Sequence, residues 1–119
     1  MTPQPGGLAA KHCQPCTGTV PPLPAADVHR LLLDVQGWTL APGGDRIRRE
    51  WRARDFAAAL GFFNRIGEIA DEEDHHPDLH LTRYRNVAIE LWTHAAGGLT
   101  ENDFILAAKI DSLPLDQAR

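Results

Sequence analysis

Apolar residues recur along this chain with two different periods, and the changes between them mark its elements. Val28, Leu31, Leu32 and Val35 repeat at three- and four-residue spacing, which gives a short helix one apolar face. Pro24 suits its first turn, where a backbone N–H is not needed, and Gly37 is a natural stop. Trp38 to Ala41 then reads as a strand, Pro42-Gly-Gly-Asp45 as a turn, and Arg46 to Ala53 as the returning strand, with Ile47, Trp51 and Ala53 on one side. Asp55 is a helix N-cap, and Phe56, Leu60, Phe63, Gly67 and Ala70 mark one face of a long helix over 55 to 73. Pro77 ends that pattern. Leu79 to Tyr84 reads as a third strand and Asn86 to Thr93 as a fourth, in which Val87, Ile89 and Leu91 alternate with Ala88, Glu90 and Trp92. After a Gly97-Gly98 loop, Thr100 to Asp103 resembles a capping box with aspartate in the usual glutamate place. Phe104, Ala107, Ala108 and Asp111 follow in a last helix that Pro114 stops.

The order is α-β-β-α-β-β-α. Short links between neighbouring strands predict antiparallel pairing. The simplest architecture is an α+β fold: a four-stranded antiparallel sheet with three helices on one face. Residues 1 to 22, rich in Pro, Gly and Thr, read as an irregular N-terminal arm; 23 to 113 hold the single domain; 114 to 119 read as a loose tail.

Composition narrows the class. The chain has 119 residues, 43% of them hydrophobic and 24% charged, with a net charge of -4. That balance gives no general attraction to nucleic acid. No stretch is long and apolar enough to span a membrane, and the N-terminus lacks the basic and apolar regions of a secretory signal, so the expected compartment is the cytoplasm. Cys13 and Cys16 form a CxxC beside His12. A zinc site needs a second ligand pair, and a redox site needs a helix opening at the motif, which Thr17-Gly-Thr-Val-Pro-Pro does not provide. These thiols are expected to do little, and a metal-binding role for Cys13, Cys16 and His12 is the lesser reading. Arg46, Arg48, Arg49, Arg52 and Arg54 crowd the second strand, where the plain reading is a solvated or edge strand kept from aggregating by charge rather than a phosphate patch.

Three histidines carry the chemistry: His75, His76 and His94. Imidazole exchanges protons near neutral pH. His75 and His76 follow the carbonyl end of the long helix and the run Asp71-Glu-Glu-Asp74, and both features favour a protonated ring able to act as an acid. His94 lies where the fourth strand meets a glycine loop, a place where a rigid sheet presents functional groups. His76 and His80 have helical metal-ligand spacing, but Pro77 argues against a helix there, so no metal is expected; His80, His12 and His29 are read as structural or exposed. Singly, each histidine is more simply a helix cap or a surface residue; the joint spacing points to proton transfer.

That spacing resembles a family signature. Asp71, three residues, His75-His76-Pro77, six residues, Tyr84, nine residues, His94, eight residues and Asp103 stand in the register of the pterin-4a-carbinolamine dehydratases. The resemblance covers roughly residues 37 to 112, and Lys11-His-Cys-Gln-Pro-Cys16 and Val20-Pro-Pro-Leu23 are similar to the leader of bacterial members. It implies dehydration of a 4a-hydroxytetrahydropterin to the quinonoid dihydropterin, which recycles the pterin of aromatic amino acid hydroxylases. His75, His76 and His94 would be the catalytic histidines, with His75 and His94 moving protons. Asp71, one methylene shorter than the glutamate of many members, would hold the pterin with His76. Trp38, Pro77, Tyr84, Thr93 and Asp103 would complete substrate binding, although a helix-start role for Asp103 is equally open. The resemblance implies no cofactor beyond the pterin substrate, and a homodimer or homotetramer. Its alternative is a non-enzymatic dimerisation cofactor or assembly factor that uses the helix over 55 to 73 as its contact surface.

Overall fold

The register of one central strand places the site. In a computed structural model, which describes residues 7–15 and 20–118, the elements run α1 (Ala25–Leu32), β1 (Thr39–Leu40), β2 (Ile47–Arg52), α2 (Phe56–Glu73), β3 (Asp78–Thr82), β4 (Asn86–Leu91) and α3 (Glu101–Asp111). This is the predicted α+β order. The strands form one antiparallel sheet in the order β1-β2-β4-β3. Trp51 lies opposite Val87, Ile47 opposite Leu91, and Asp78 opposite Glu90. The segment before β3 and the segment after β4 therefore emerge at the same end of the sheet.

Alternation along β2 and β4 turns Ile47, Trp51, Val87, Ile89 and Leu91 to one face, where all three helices pack. Val28 and Leu31 of α1, Phe62 and Ile66 of α2, and Phe104, Ala107 and Ile110 of α3 fill the same core. Asp55 caps α2 as predicted, its carboxylate accepting the Ala58 N–H at 2.8 Å. The buried stripe of α2 differs from the predicted one. It is Ala59, Phe62, Ile66 and Ala70, while Phe56 and Leu60 are 50% and 42% exposed. The helix is apolar around much of its circumference, so periodicity alone did not select the face.

Three other expectations shift. Arg83 and Tyr84 adopt left-handed backbone conformations (φ 48° and 54°), so β3 ends at Thr82 and these residues turn the chain. β2 is an inner strand, not an edge; Arg48 and Arg46 reach Glu90 on the open sheet face at 3.6 and 4.0 Å, while Arg49 points to the helix side. The tail is attached: Ala53 bridges Gln117, and the Arg54 N–H donates to the Asp116 carbonyl at 2.7 Å. No described helix is long and apolar enough to cross a membrane.

One junction locks α1 to the sheet. Arg49 Nη1 donates to Asp111 Oδ1 at 2.8 Å and to the Gln36 carbonyl at 3.1 Å, and Trp38 Nε1 donates to Asp111 at 2.9 Å. Burial pushes the Asp111 carboxyl up, against the bonds from Trp38 and Arg49. Gly37 makes this junction possible. It sits at φ +90°, and an added Cβ would lie 2.8 Å from Arg49 Nε. Gly37→Ala should lower stability by about 1–3 kcal/mol, read as a shifted urea midpoint with an unchanged slope.

Candidate functional site

α2 ends on Asp74, whose left-handed backbone (φ 50°) carries its N–H back to the Ala70 carbonyl. The His75 N–H reaches the same carbonyl at 3.2 Å. This tight stop turns the His75 ring inward, where Nε2 meets Asp103 Oδ1 at 2.6 Å. The His75 side chain is 10% exposed and Asp103 is fully buried.

Asp103 comes from the first turn of α3. Its Oδ2 accepts the Thr100 N–H at 2.9 Å, the return bond of the predicted capping box, and the Thr93 hydroxyl at 2.8 Å. Thr93 and Thr100 hydroxyls also meet each other at 2.8 Å. A buried carboxylate is stable only when paired and hydrogen-bonded, and these donors meet that need. An ionised carboxylate only accepts, so in a bond to the Asp103 carboxylate the hydrogen is the one on His75 Nε2. A carboxylate behind a histidine fixes ring tautomer and orientation, as in other acid–base sites.

Beyond β4, the Thr93 N–H bonds the Gly98 carbonyl at 2.8 Å and closes a small loop through Gly97, at φ +63°. His94 starts a 3-10 turn, His94–Ala96, within that loop. Its ring stacks on Trp92 with centroids 4.0 Å apart and planes 22° apart. Arg46 covers the Trp92 ring at 5.1 Å, and Trp92 Nε1 donates to Asp78 at 3.2 Å. His76 Nε2 pairs with Asp71 at 3.0 Å, both side chains being largely exposed.

His75, His76 and His94 thus line one open hollow of about 400 Å³ with Asp74, Trp92 and Thr93. The antiparallel β3–β4 pair brings them together, because one histidine group precedes β3 and the other follows β4. Another hollow, about 440 Å³, lies on the open sheet face among Arg48, Glu50, Arg52 and His80. Arg48 is paired there with Glu50, and His80 with Glu90.

Asp71 reaches the rim through His76, and Pro77 makes the turn into β3. Of the other residues expected to bind substrate, Trp38, Tyr84 and Asp103 do not line the hollow. Trp38 is 5% exposed in the core, edge-on to Trp51, because its indole completes the Asp111 junction. Tyr84 turns the β3–β4 hairpin at its far end, roughly 15–20 Å from the histidines by strand rise. Asp103 lies behind His75, fully buried, with its carboxylate on the His75 ring. Trp92 was overlooked: strand alternation accounted for it as an outward residue, although an indole next to a histidine at a strand end is a signal in itself. Among the described residues no cluster of three or more His, Cys, Asp or Glu side chains could hold a metal ion, and Cys16 lies outside those residues.

Fold and hollow together define an α+β domain with a histidine-lined ligand recess. The chain belongs to the pterin 4 alpha carbinolamine dehydratase family, whose model matches residues 21–113. It is 48% identical over 112 residues to the mitochondrial pterin-4-alpha-carbinolamine dehydratase 2 of Arabidopsis thaliana, covering 92% of this chain and 60% of that protein. It is 44% identical over 106 residues to a Rubrobacter xylanophilus protein given provisionally the same activity, covering 89% of this chain and 97% of that one. A crystal structure of a Brucella melitensis protein, described as a transcriptional coactivator/pterin dehydratase, superposes with a TM-score of 0.73 at 31% identity, over 76% of this chain and 96% of that one.

Proposed function

We propose that this protein dehydrates 4a-hydroxytetrahydropterins, with its histidines as the acid and base. The observation that carries the reading is His75, backed by buried Asp103, sharing a hollow with His76 and His94 in a chain of this family. The reaction breaks the C4a–O bond and removes the N5 proton, so that C4a and N5 become doubly bonded and water leaves. One histidine delivers a proton to the departing hydroxyl and another takes the nitrogen proton. His75, through Nδ1, and His94 fill these two roles. His76 with Asp71 holds the pterin at the rim. Such positioned acid–base groups contribute about 10²–10⁴-fold.

The substrate pterin recycles to an aromatic amino acid hydroxylase, and no cofactor beyond it takes part. The working form is a homodimer or homotetramer in the cytoplasm; the Arabidopsis relative bears a mitochondrial name, so fractionation decides the compartment. A coactivator or dimerisation role is the second reading. It draws on the coactivator role named for the Brucella protein and on Phe56 and Leu60, which α2 leaves exposed here.

The test is a coupled assay in which phenylalanine hydroxylase supplies the 4a-hydroxypterin and the quinonoid product is followed by its ultraviolet absorbance, with chelator present. Wild type should speed product formation above the spontaneous rate. A folded wild type that leaves the rate unchanged overturns the dehydratase reading.

A further inference from the structure

The arm ahead of the domain is not idle chain. Leu8 packs against the core, and Lys109 Nζ donates to the Ala9 carbonyl at 2.7 Å. Lys11 pairs with Glu101 at 3.3 Å, both side chains about half exposed. The next three residues reach much more deeply placed groups. His12 Nδ1 and the Cys13 N–H meet the two carboxylate oxygens of Glu73 at 2.8 and 2.7 Å, and that side chain is only 6% exposed. The Gln14 N–H donates to Asn102 Oδ1 at 2.9 Å, and Asn102 Nδ2 donates back to the Gln14 carbonyl at 2.8 Å. Asn102 is 6% exposed.

The two anchors have telling positions. Glu73 is the last residue of α2, two before His75; Asn102 immediately precedes Asp103 in the first turn of α3. The arm therefore ties the end of one helix to the start of the other, and the His75–Asp103 bond spans that same junction. Burial opposes the charge of Glu73, but the bonds from His12 and the Cys13 N–H, with Lys109 nearby, hold its carboxyl below the usual range. Two near-buried polar side chains are thus satisfied by an irregular segment of the arm. Unmade, such bonds would leave each polar group at a desolvation disadvantage, which gives the arm a strong reason to stay seated.

We propose that residues 8–14 form a strap that sets the His75–Asp103 geometry, with Glu73 and Asn102 as its positioning residues. Neither touches the hollow; both act through the helix ends that carry the pair. A hydrogen bond of 2.6 Å is sensitive to small displacements of its ends, and misplacement of order 1 Å at a catalytic group lowers rates by up to ~10².

The test uses the full chain with Glu73→Ala, Asn102→Ala and Gln14→Pro. The last removes the arm's N–H donor to Asn102, fixes the arm backbone at 14 and restricts Cys13, while leaving the core sequence intact, so it decides the matter even if the buried variants fold poorly. Lys11→Ala, which removes the outermost tether, is the control. The first readout is the pair of His75 ring nitrogen shifts in ¹⁵N-histidine-labelled protein, which report the bond from Nε2 directly. The second is the split between kcat and KM in the dehydration assay. The strap predicts changed His75 shifts and a roughly tenfold fall in kcat with little change in KM, while Glu73→Gln, which keeps an acceptor for the Cys13 N–H, recovers part of both. Wild-type His75 shifts in folded Gln14→Pro and Asn102→Ala overturn it. The kinetic readout rests on the dehydratase reading; the shifts do not, so an inactive wild type whose His75 shifts still follow the arm would sink the activity and leave the strap standing.

Discussion

His94→Ala should slow catalysed dehydration by about 10²–10⁴-fold while leaving the protein folded. The residue is exposed, and its ring stacks on Trp92 at the rim of the hollow. Stability and activity should therefore separate in this variant: an unchanged urea midpoint beside a turnover rate near the uncatalysed one. His75→Ala should lose activity to a similar degree, but it also empties a nearly buried position and leaves Asp103 one donor short. If His94→Ala turns over at the wild-type rate, the proton it was assigned passes through another group.

Asp103 should give the largest combined effect. Its carboxylate, itself fully buried, accepts from His75, Thr93 and Thr100. Asp103→Ala should cost about 3–5 kcal/mol of stability, because buried donors lose their only charged partner. Asp103→Asn is the sharper probe. The amide keeps the size, yet it offers a single acceptor oxygen and an NH₂ group among three donors, so His75 is driven toward the wrong tautomer. By analogy with other histidine–carboxylate pairs, kcat should fall by up to ~10⁴ with a smaller change in stability. Denaturation and kinetics on the same preparation check both parts; a folded Asp103→Asn with full activity would mean that the carboxylate serves only as a helix cap.

Much of the fold was legible because local patterns and long-range packing agree. The β4 alternation of Val87, Ile89 and Leu91, the Asp55 cap and the Pro77 break each needed only neighbours in sequence. What could not be read depended on distant partners. Phe56 and Leu60 are as apolar as the residues that α2 buries, and only the positions of β2 and β4 select Phe62 and Ile66 instead. Trp38 looked fit for a pocket until Asp111, far along the chain, took its indole N–H. Asp103 could be seen as a helix-start residue, but its contact with His75 could not, since no local period relates them. The arm was hardest of all: its irregular backbone has no side-chain rhythm, and its partners, Glu73 and Asn102, look like ordinary helix-end polar residues.

The site's two halves meet because β3 and β4 pair antiparallel and Asp103 arrives from α3 behind them. His75 and Asp103 stand 28 residues apart, and their bond forms only once the ends of α2 and α3 are packed together beyond the β3–β4 pair. Non-local closure of this kind is slow and comes with the main folding barrier. A nascent or partly folded chain therefore has no working fragment of the recess, and a refolding population regains its chemistry in step with its tertiary structure rather than ahead of it.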